Sequence, residues 1–279
     1  MSKAEEIRKQ FGEIDTKRDE GLSDPVDVLR YDNIRYGLRA DQLCDLYTPR
    51  TEGPYPLIVH VHGGGWVYGD KERYQYYCMH LAQYGFAVCN FNYGLAPEFK
   101  FPTQLQDIQF VLQMISDKMS YYHIDPARIY MMGDSAGGHL CALYMDALYN
   151  PKYQKKYPFI KKLFDIQAVA YNCGVYDPGN DELMKELLDD TTDLQDVNVI
   201  AHLSESQPPV FVMSCQDDFL REQPLLLIKG LEEHHIPFEY HFYTDSQKEM
   251  LHCYFLNVRD ERAEEMNQDL VSFFSKHHA

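Results

Sequence analysis

The chain has little positive charge, a single tryptophan, no paired-cysteine motif and no long hydrophobic run. Lysine and arginine total 26 against 43 aspartates and glutamates in 279 residues, for a formal net charge of −17. That balance argues against nucleic acid or an anionic membrane as a partner. The seven cysteines (Cys44, Cys78, Cys89, Cys141, Cys173, Cys215 and Cys253) include no C-x-x-C pair, so neither a zinc site nor a redox motif is indicated. Most sit beside apolar residues, as in Ala87-Val88-Cys89, and read as buried free thiols of a reducing compartment. No apolar run approaches the roughly 20 residues of a membrane span, and Met1-Ser2-Lys3-Ala4-Glu5-Glu6 opens no signal-peptide core. A cytoplasmic location is the expectation.

What is present suits a packed core: 45% of residues are hydrophobic and 25% charged. Ile7, Phe11 and Ile14 recur at helical spacing, which predicts an amphipathic N-terminal helix. Around 34–37 and 43–47 the period shortens toward two, which predicts two early strands. Strand and helix then alternate: strands at 57–61, 86–91, 128–132, 166–171, 210–214 and 238–243, and helices at 73–84, 104–119, 136–148, 224–233 and 261–274. Such alternation predicts an α/β fold with a mostly parallel central sheet and helices on both faces. The acidic, irregular stretch from Asn172 to Pro209, with a short helix at 181–188, exceeds an ordinary crossover loop. It reads as a cover for a site, or as a solvated excursion.

Two strings carry chemistry. Gly133-Asp134-Ser135-Ala136-Gly137 sits between a predicted strand and helix, the context in which G-x-S-x-G presents a serine on a strained turn. Alone, that string arises by chance in roughly a tenth of chains this long. His62-Gly63-Gly64-Gly65-Trp66 is far rarer and follows a buried strand. Its glycines let backbone N–H groups approach a substrate oxygen, so Gly64 and Gly65 would join Ala136 in an oxyanion hole. His62 braces the loop, while Trp66 reads equally as a wall of the acyl pocket or as core.

A serine nucleophile needs a base, and the base needs an orienting acid. Both belong on loops after later strands. His252 has that position, after the strand at 238–243 and before the last helix; His62, His139, His202, His234, His235, His241, His277 and His278 lie in poorer contexts. For the acid, Asp217 and Asp218 both follow the strand at 210–214 and spacing does not separate them; Asp245 is a weaker third.

These strings resemble the hormone-sensitive-lipase-like branch of the α/β-hydrolase fold. A third segment, Tyr93-Gly94-Leu95-Ala96-Pro97-Glu98-Phe99-Lys100-Phe101-Pro102, is similar to that branch's Y-R-L-A-P-E-x-x-F-P, with Gly94 where arginine is usual. The substitution implies a missing anchoring ion pair. Asp218-Phe219-Leu220-Arg221 is similar to the branch's D-P-L-R, which favours Asp218 over Asp217. The resemblance implies one α/β-hydrolase domain over 1–279, with a small cap from about 1–30 and 172–209. It also implies a serine carboxylesterase acting on short acyl esters, acetyl above all, with acetylated sugars as one substrate class. Ser135 would be the nucleophile, His252 the base and Asp218 the orienting acid. No metal or organic cofactor is implied, and the partner is a small-molecule ester. Oligomeric state stays open, a homodimer being one form. Two rival readings remain: an arylformamidase-like amide hydrolase, which N-formylkynurenine would reveal, and a non-catalytic ligand-binding receptor on the same fold.

Overall fold

The computed structural model describes residues 2–180 and 182–278. Helix α1 (Lys3–Asp19) starts on a reciprocal cap, in which Ser2 Oγ accepts from the Glu5 amide and the Glu5 carboxylate accepts from the Ser2 amide. Such caps stabilise a helix by about 1 kcal/mol. The chain continues through β1 (Val28–Arg35), β2 (Leu43–Pro49), β3 (Tyr55–Val61), α2 (Lys71–Gln83), β4 (Ala87–Phe91), α3 (Thr103–Lys118) and β5 (Ile124–Asp134). There follow α4 (Ala136–Tyr149), α5 (Pro151–Gln154), β6 (Ile166–Asn172), α6 (Glu182–Leu187), β7 (Val210–Cys215), α7 (Gln223–Glu233), β8 (Phe238–Tyr243) and α8 (Glu261–Lys276).

The eight strands form one sheet in the order β1-β2-β4-β3-β5-β6-β7-β8. The pairs β1–β2 and β2–β4 are antiparallel, and every later pair is parallel. Side chains alternate across the sheet, so two cores form. Leu57, Val59 and Val61 of β3 pack with α3 and α4 on one face, while Ile58 packs with α2 and α8 on the other. Because the central strands run one way, the loops after β3, β5, β7 and β8 all leave from one edge of the sheet.

The expected elements are present with shifted ends. β5 begins at Ile124, before the predicted start, because Tyr55 pairs with Ile124 across a register irregularity. The short helix expected over 181–188 is α6, and Asp181 lies outside the described residues. The rest of the 172–209 stretch forms two 3-10 turns, Leu194–Val197 and Val199–His202. Helix α1 packs against α2 and α6. All seven cysteines are free, and all but Cys253 are buried. No described helix is long and apolar enough to cross a membrane.

Candidate active site

Ser135 occupies the turn between β5 and α4 at φ 52° and ψ −121°. A non-glycine residue there carries roughly 1–3 kcal/mol of backbone strain. The neighbouring glycines make the turn possible: a Cβ on Gly137 would strike the carbonyls of Val61 and His62, and one on Gly133 would strike Gly137. The Ser135 amide donates to the Asn172 carbonyl at 2.9 Å, so the end of β6 fixes the turn. Ala136 opens α4, where the first helical N–H groups have no partner within the helix.

The glycine loop leaves β3 beside this turn. Gly64 sits at φ 113° and Gly65 at φ 61°, and a Cβ on Gly64 would collide with the Tyr68 carbonyl. Among the described residues the amides of Gly64 and Gly65 have no hydrogen-bond partner. The Gly63 amide, by contrast, donates to Tyr74 Oη at 3.1 Å. Tyr74 in turn donates to the Asp134 carboxylate at 2.9 Å, and that carboxylate also lies 3.0 Å from His60 Nε2. One hydroxyl on α2 therefore ties the glycine loop to the residue preceding Ser135.

His62 Nδ1 lies 2.8 Å from the Gly63 carbonyl and must donate to it, and its ring stacks on Tyr93 at 4.2 Å. Burial pulls its pKa down to about 4, so it is neutral, and its bracing position agrees with the sequence expectation. Trp66 does not line the cavity at Ser135. It is 3% exposed, and its indole Nε1 donates to His139 Nδ1 at 3.1 Å. The other His139 nitrogen donates to the Val197 carbonyl at 2.7 Å. The acyl-wall alternative for Trp66 is thus replaced by a core role: it joins the glycine loop to α4 and to the 172–209 stretch.

Asp217 and Asp218, which spacing left unseparated, do different things. Asp218 is 2% exposed, and its Oδ1 accepts from His252 Nδ1 at 2.7 Å and from the Leu220 amide at 2.8 Å. Its second oxygen accepts from Ser214 Oγ at 3.1 Å. Burial by itself would raise this carboxyl, but the bonds and charge from His252 and the bond from Leu220 outweigh it and hold the group below the usual carboxylate range. Burial likewise works against a charged His252, yet the Asp218 bond, the Cys173 thiol and the Asp218 charge overcome it and raise the imidazole above its ordinary value. Asp217 instead accepts from the Met250 amide at 2.8 Å and from Gln216 at 2.9 Å, pinning the segment that carries His252. Asp245 pairs with Arg262 and plays no part at His252.

Ser135, His252 and Gly64 line one cavity of about 540 Å³. Phe11 and Ile14 of α1, Tyr68, Phe219, Leu251 and Leu256 give it apolar walls. Phe219 lies against the His252 ring at 4.4 Å. A Cβ on Gly65 would face Leu183 of α6 and Ile7 of α1. At Gly94 the expected gap in charge is filled from elsewhere. The Gly94 amide donates to the buried Asp107 at 2.8 Å, and Arg39 pairs with that carboxylate at 2.6 Å. Tyr74, His139 and the holding role of Asp217 had no signal in the sequence, since each acts on a loop brought close only by folding.

A family model described as BD-FAE matches residues 44–223, well over half of the chain. Arylacetamide deacetylase of Bos taurus is 32% identical over 133 residues, which are 45% of this chain and 32% of that protein. The probable carboxylic ester hydrolase LipM of Mycobacterium tuberculosis is 29% identical over 184 residues, 60% of this chain and 42% of that protein. The chain thus spans less than half the length of these two curated relatives. Esterase B from Lactobacillus Rhamnosis superposes with a TM-score of 0.90 at 24% identity, over 98% of this chain and 93% of that one. Its complex with a tributyrin phosphonate gives the same TM-score at 25% identity, over 98% and 94% of the two chains. The hormone-sensitive-lipase-like resemblance read from the motifs agrees with these findings. With the sheet order, the serine turn and the glycine loop in place, the chain belongs to the BD-FAE family, on an α/β-hydrolase fold.

Proposed function

We propose that the protein hydrolyses carboxylic esters through Ser135, His252 and Asp218. The observation that carries this reading is the 2.7 Å contact between His252 Nδ1 and Asp218 Oδ1, with His252 and Ser135 on the wall of one cavity beside Gly64. Asp218 accepts a hydrogen bond from the Nδ1–H of His252, which keeps the proton on Nδ1, leaves Nε2 with its lone pair and holds the ring in place. His252 Nε2 takes the Ser135 proton as Oγ attacks the ester carbonyl. The amides of Gly64, Gly65 and Ala136 receive the negative oxygen of the tetrahedral intermediate; one such donor contributes roughly 3–4 kcal/mol in other enzymes. Collapse returns the proton from His252 to the departing alcohol. Water, deprotonated by the same nitrogen, then attacks the acyl-enzyme and releases the acid.

Helix α1 and the 172–209 stretch act as a small cap, because Phe11 and Ile14 stand in the cavity wall and α1 packs on α6. Short acyl groups, acetyl first, are the proposed substrates, and acetylated sugars are one alcohol class to try. The test is a panel of p-nitrophenyl esters from acetate to long acyl chains, with acetylated sugars and N-formylkynurenine alongside. Turnover of short esters that vanishes in Ser135→Ala supports the reading. Turnover of N-formylkynurenine alone, or of no activated ester at all, contradicts it.

A further inference from the structure

Ester hydrolysis makes no use of the thiols gathered behind the imidazole. Cys173 follows the last residue of β6, Cys215 ends β7, and Cys253 follows His252 after β8. Three adjacent parallel strands thus deliver three sulfurs to one place. The sulfurs of Cys173 and Cys253 and a ring nitrogen of His252 all lie within 4.8 Å of one another, and so do the sulfurs of Cys173 and Cys215 and an oxygen of Asp218. All three cysteines are free. Cys253 and His252 line the cavity, while Cys173 is fully buried behind them. Cys173 and Cys253 both hold left-handed backbone, at φ 49° and φ 56°, an uncommon conformation for a side-chain-bearing residue.

We propose that Cys173, Cys253 and His252 form a binding site for a soft divalent cation of the zinc class, and that filling it silences the site at Ser135. Two sulfurs and one imidazole nitrogen are the donor set that thiophilic d10 ions prefer. Tetrahedral zinc, at roughly 2.3 Å to sulfur and 2.0–2.1 Å to nitrogen, needs ligand separations of about 3.5–3.8 Å. The present separations, none above 4.8 Å, leave at most about 1.3 Å to be closed on binding. On binding, the two thiols release their protons to solvent, and the two thiolates cancel the cation's charge. The filled site therefore brings no net charge into a partly buried place. The cavity supplies the path of entry, and a water on the cavity side completes four-coordination. Either ring nitrogen gives the same outcome. Coordination through Nε2 consumes the lone pair that Ser135 needs, and coordination through Nδ1 displaces Asp218 and leaves the proton on Nε2. Hard cations such as magnesium and calcium, which seek oxygen ligands, should pass it by.

The silencing rests on the proposed hydrolysis, so binding is read without it. The full chain, stripped with EDTA and dialysed, is titrated with cadmium while the thiolate-to-cadmium charge-transfer absorption is followed. One equivalent should saturate the band, Ser135→Ala should give the same band, and magnesium should give none. Cys253→Ala and Cys173→Ala should each weaken cadmium binding at least tenfold, whereas Cys141→Ala, at a buried thiol of α4 outside the cluster, should not. Zinc should abolish turnover of a short ester, and EDTA should restore it. No band, or equal affinity in the Cys253→Ala and Cys173→Ala variants, overturns the site. A full band with turnover intact overturns the silencing. Should Cys173→Ala fail to fold, Cys253→Ala, at a partly exposed thiol, decides alone.

Discussion

Ser135 is held in a conformation it would not choose, and in the proposed mechanism it makes the covalent bond. Ser135→Ala should therefore lower turnover by roughly a million-fold, the scale of other nucleophile knockouts, with a melting temperature at or above that of the parent. Retained activity in that variant would remove Ser135 from the chemistry. Asp218 acts only through His252. Asp218→Asn keeps the shape but favours the wrong tautomer, and a loss of roughly ten-thousand-fold in kcat is expected. Asp217→Asn, which weakens the hold on Met250 without touching His252, should cost far less. Tyr74 is the fourth residue to test, since its hydroxyl bridges the Gly63 amide and Asp134. Tyr74→Phe leaves that buried amide unpaired and frees the loop, so kcat should fall between about 10- and 100-fold with KM nearly unchanged. An equal rise in KM would mean that the hydroxyl serves binding instead.

At the scale of elements, the 172–209 stretch is tied to α4 by more than the Trp66–His139 bridge. Asp146 of α4 is buried and accepts from Gln207, while its second oxygen has no partner among the described residues. Burial raises this carboxyl well above its ordinary range, and the Gln207 bond only partly offsets the shift. A carboxyl whose folded-state pKa lies above its unfolded value imposes no cost below the unfolded value, and a growing cost as pH rises toward the folded one. Asp146→Asn should accordingly melt a few degrees higher than the parent at pH 7, with the gap closing near pH 3. A gap of the same size at both values would place the effect in packing. The strand–helix alternation and the two glycine motifs were legible in the sequence because local periodicity and glycine's backbone freedom write them there. The choice of Asp218 over Asp217 needed the resemblance, since adjacent residues on one loop point apart only once the chain is folded. Trp66 was ambiguous for a similar reason: its partner His139 is distant in sequence, and no pattern along the chain links them. Nor did the string around Gly94 disclose that Arg39, from the turn before β2, supplies the charge facing Asp107.

For the molecule as a whole, the net charge of −17 is matched locally at the cavity. Asp15, Asp134, Asp217, Glu249 and Asp260 line it against Arg18 and Arg262, and both arginines are already paired, with Asp15 and Asp19 and with Asp245 and Asp260. Neutral esters should therefore be preferred over anionic ones. A neutral dimethyl ester of a dicarboxylic acid and its anionic monomethyl half-ester should differ in kcat/KM at low ionic strength, and the difference should narrow as salt is added. A preference for the anionic ester would contradict that reading of the charge. The central claim, however, is that distant parts of the chain converge to make one serine reactive. Mass spectrometry after treatment with a fluorophosphonate tests it most directly. A single adduct is expected on the peptide holding Ser135, absent in Ser135→Ala; an adduct on another serine, or none from protein that hydrolyses esters, would overturn the proposed mechanism.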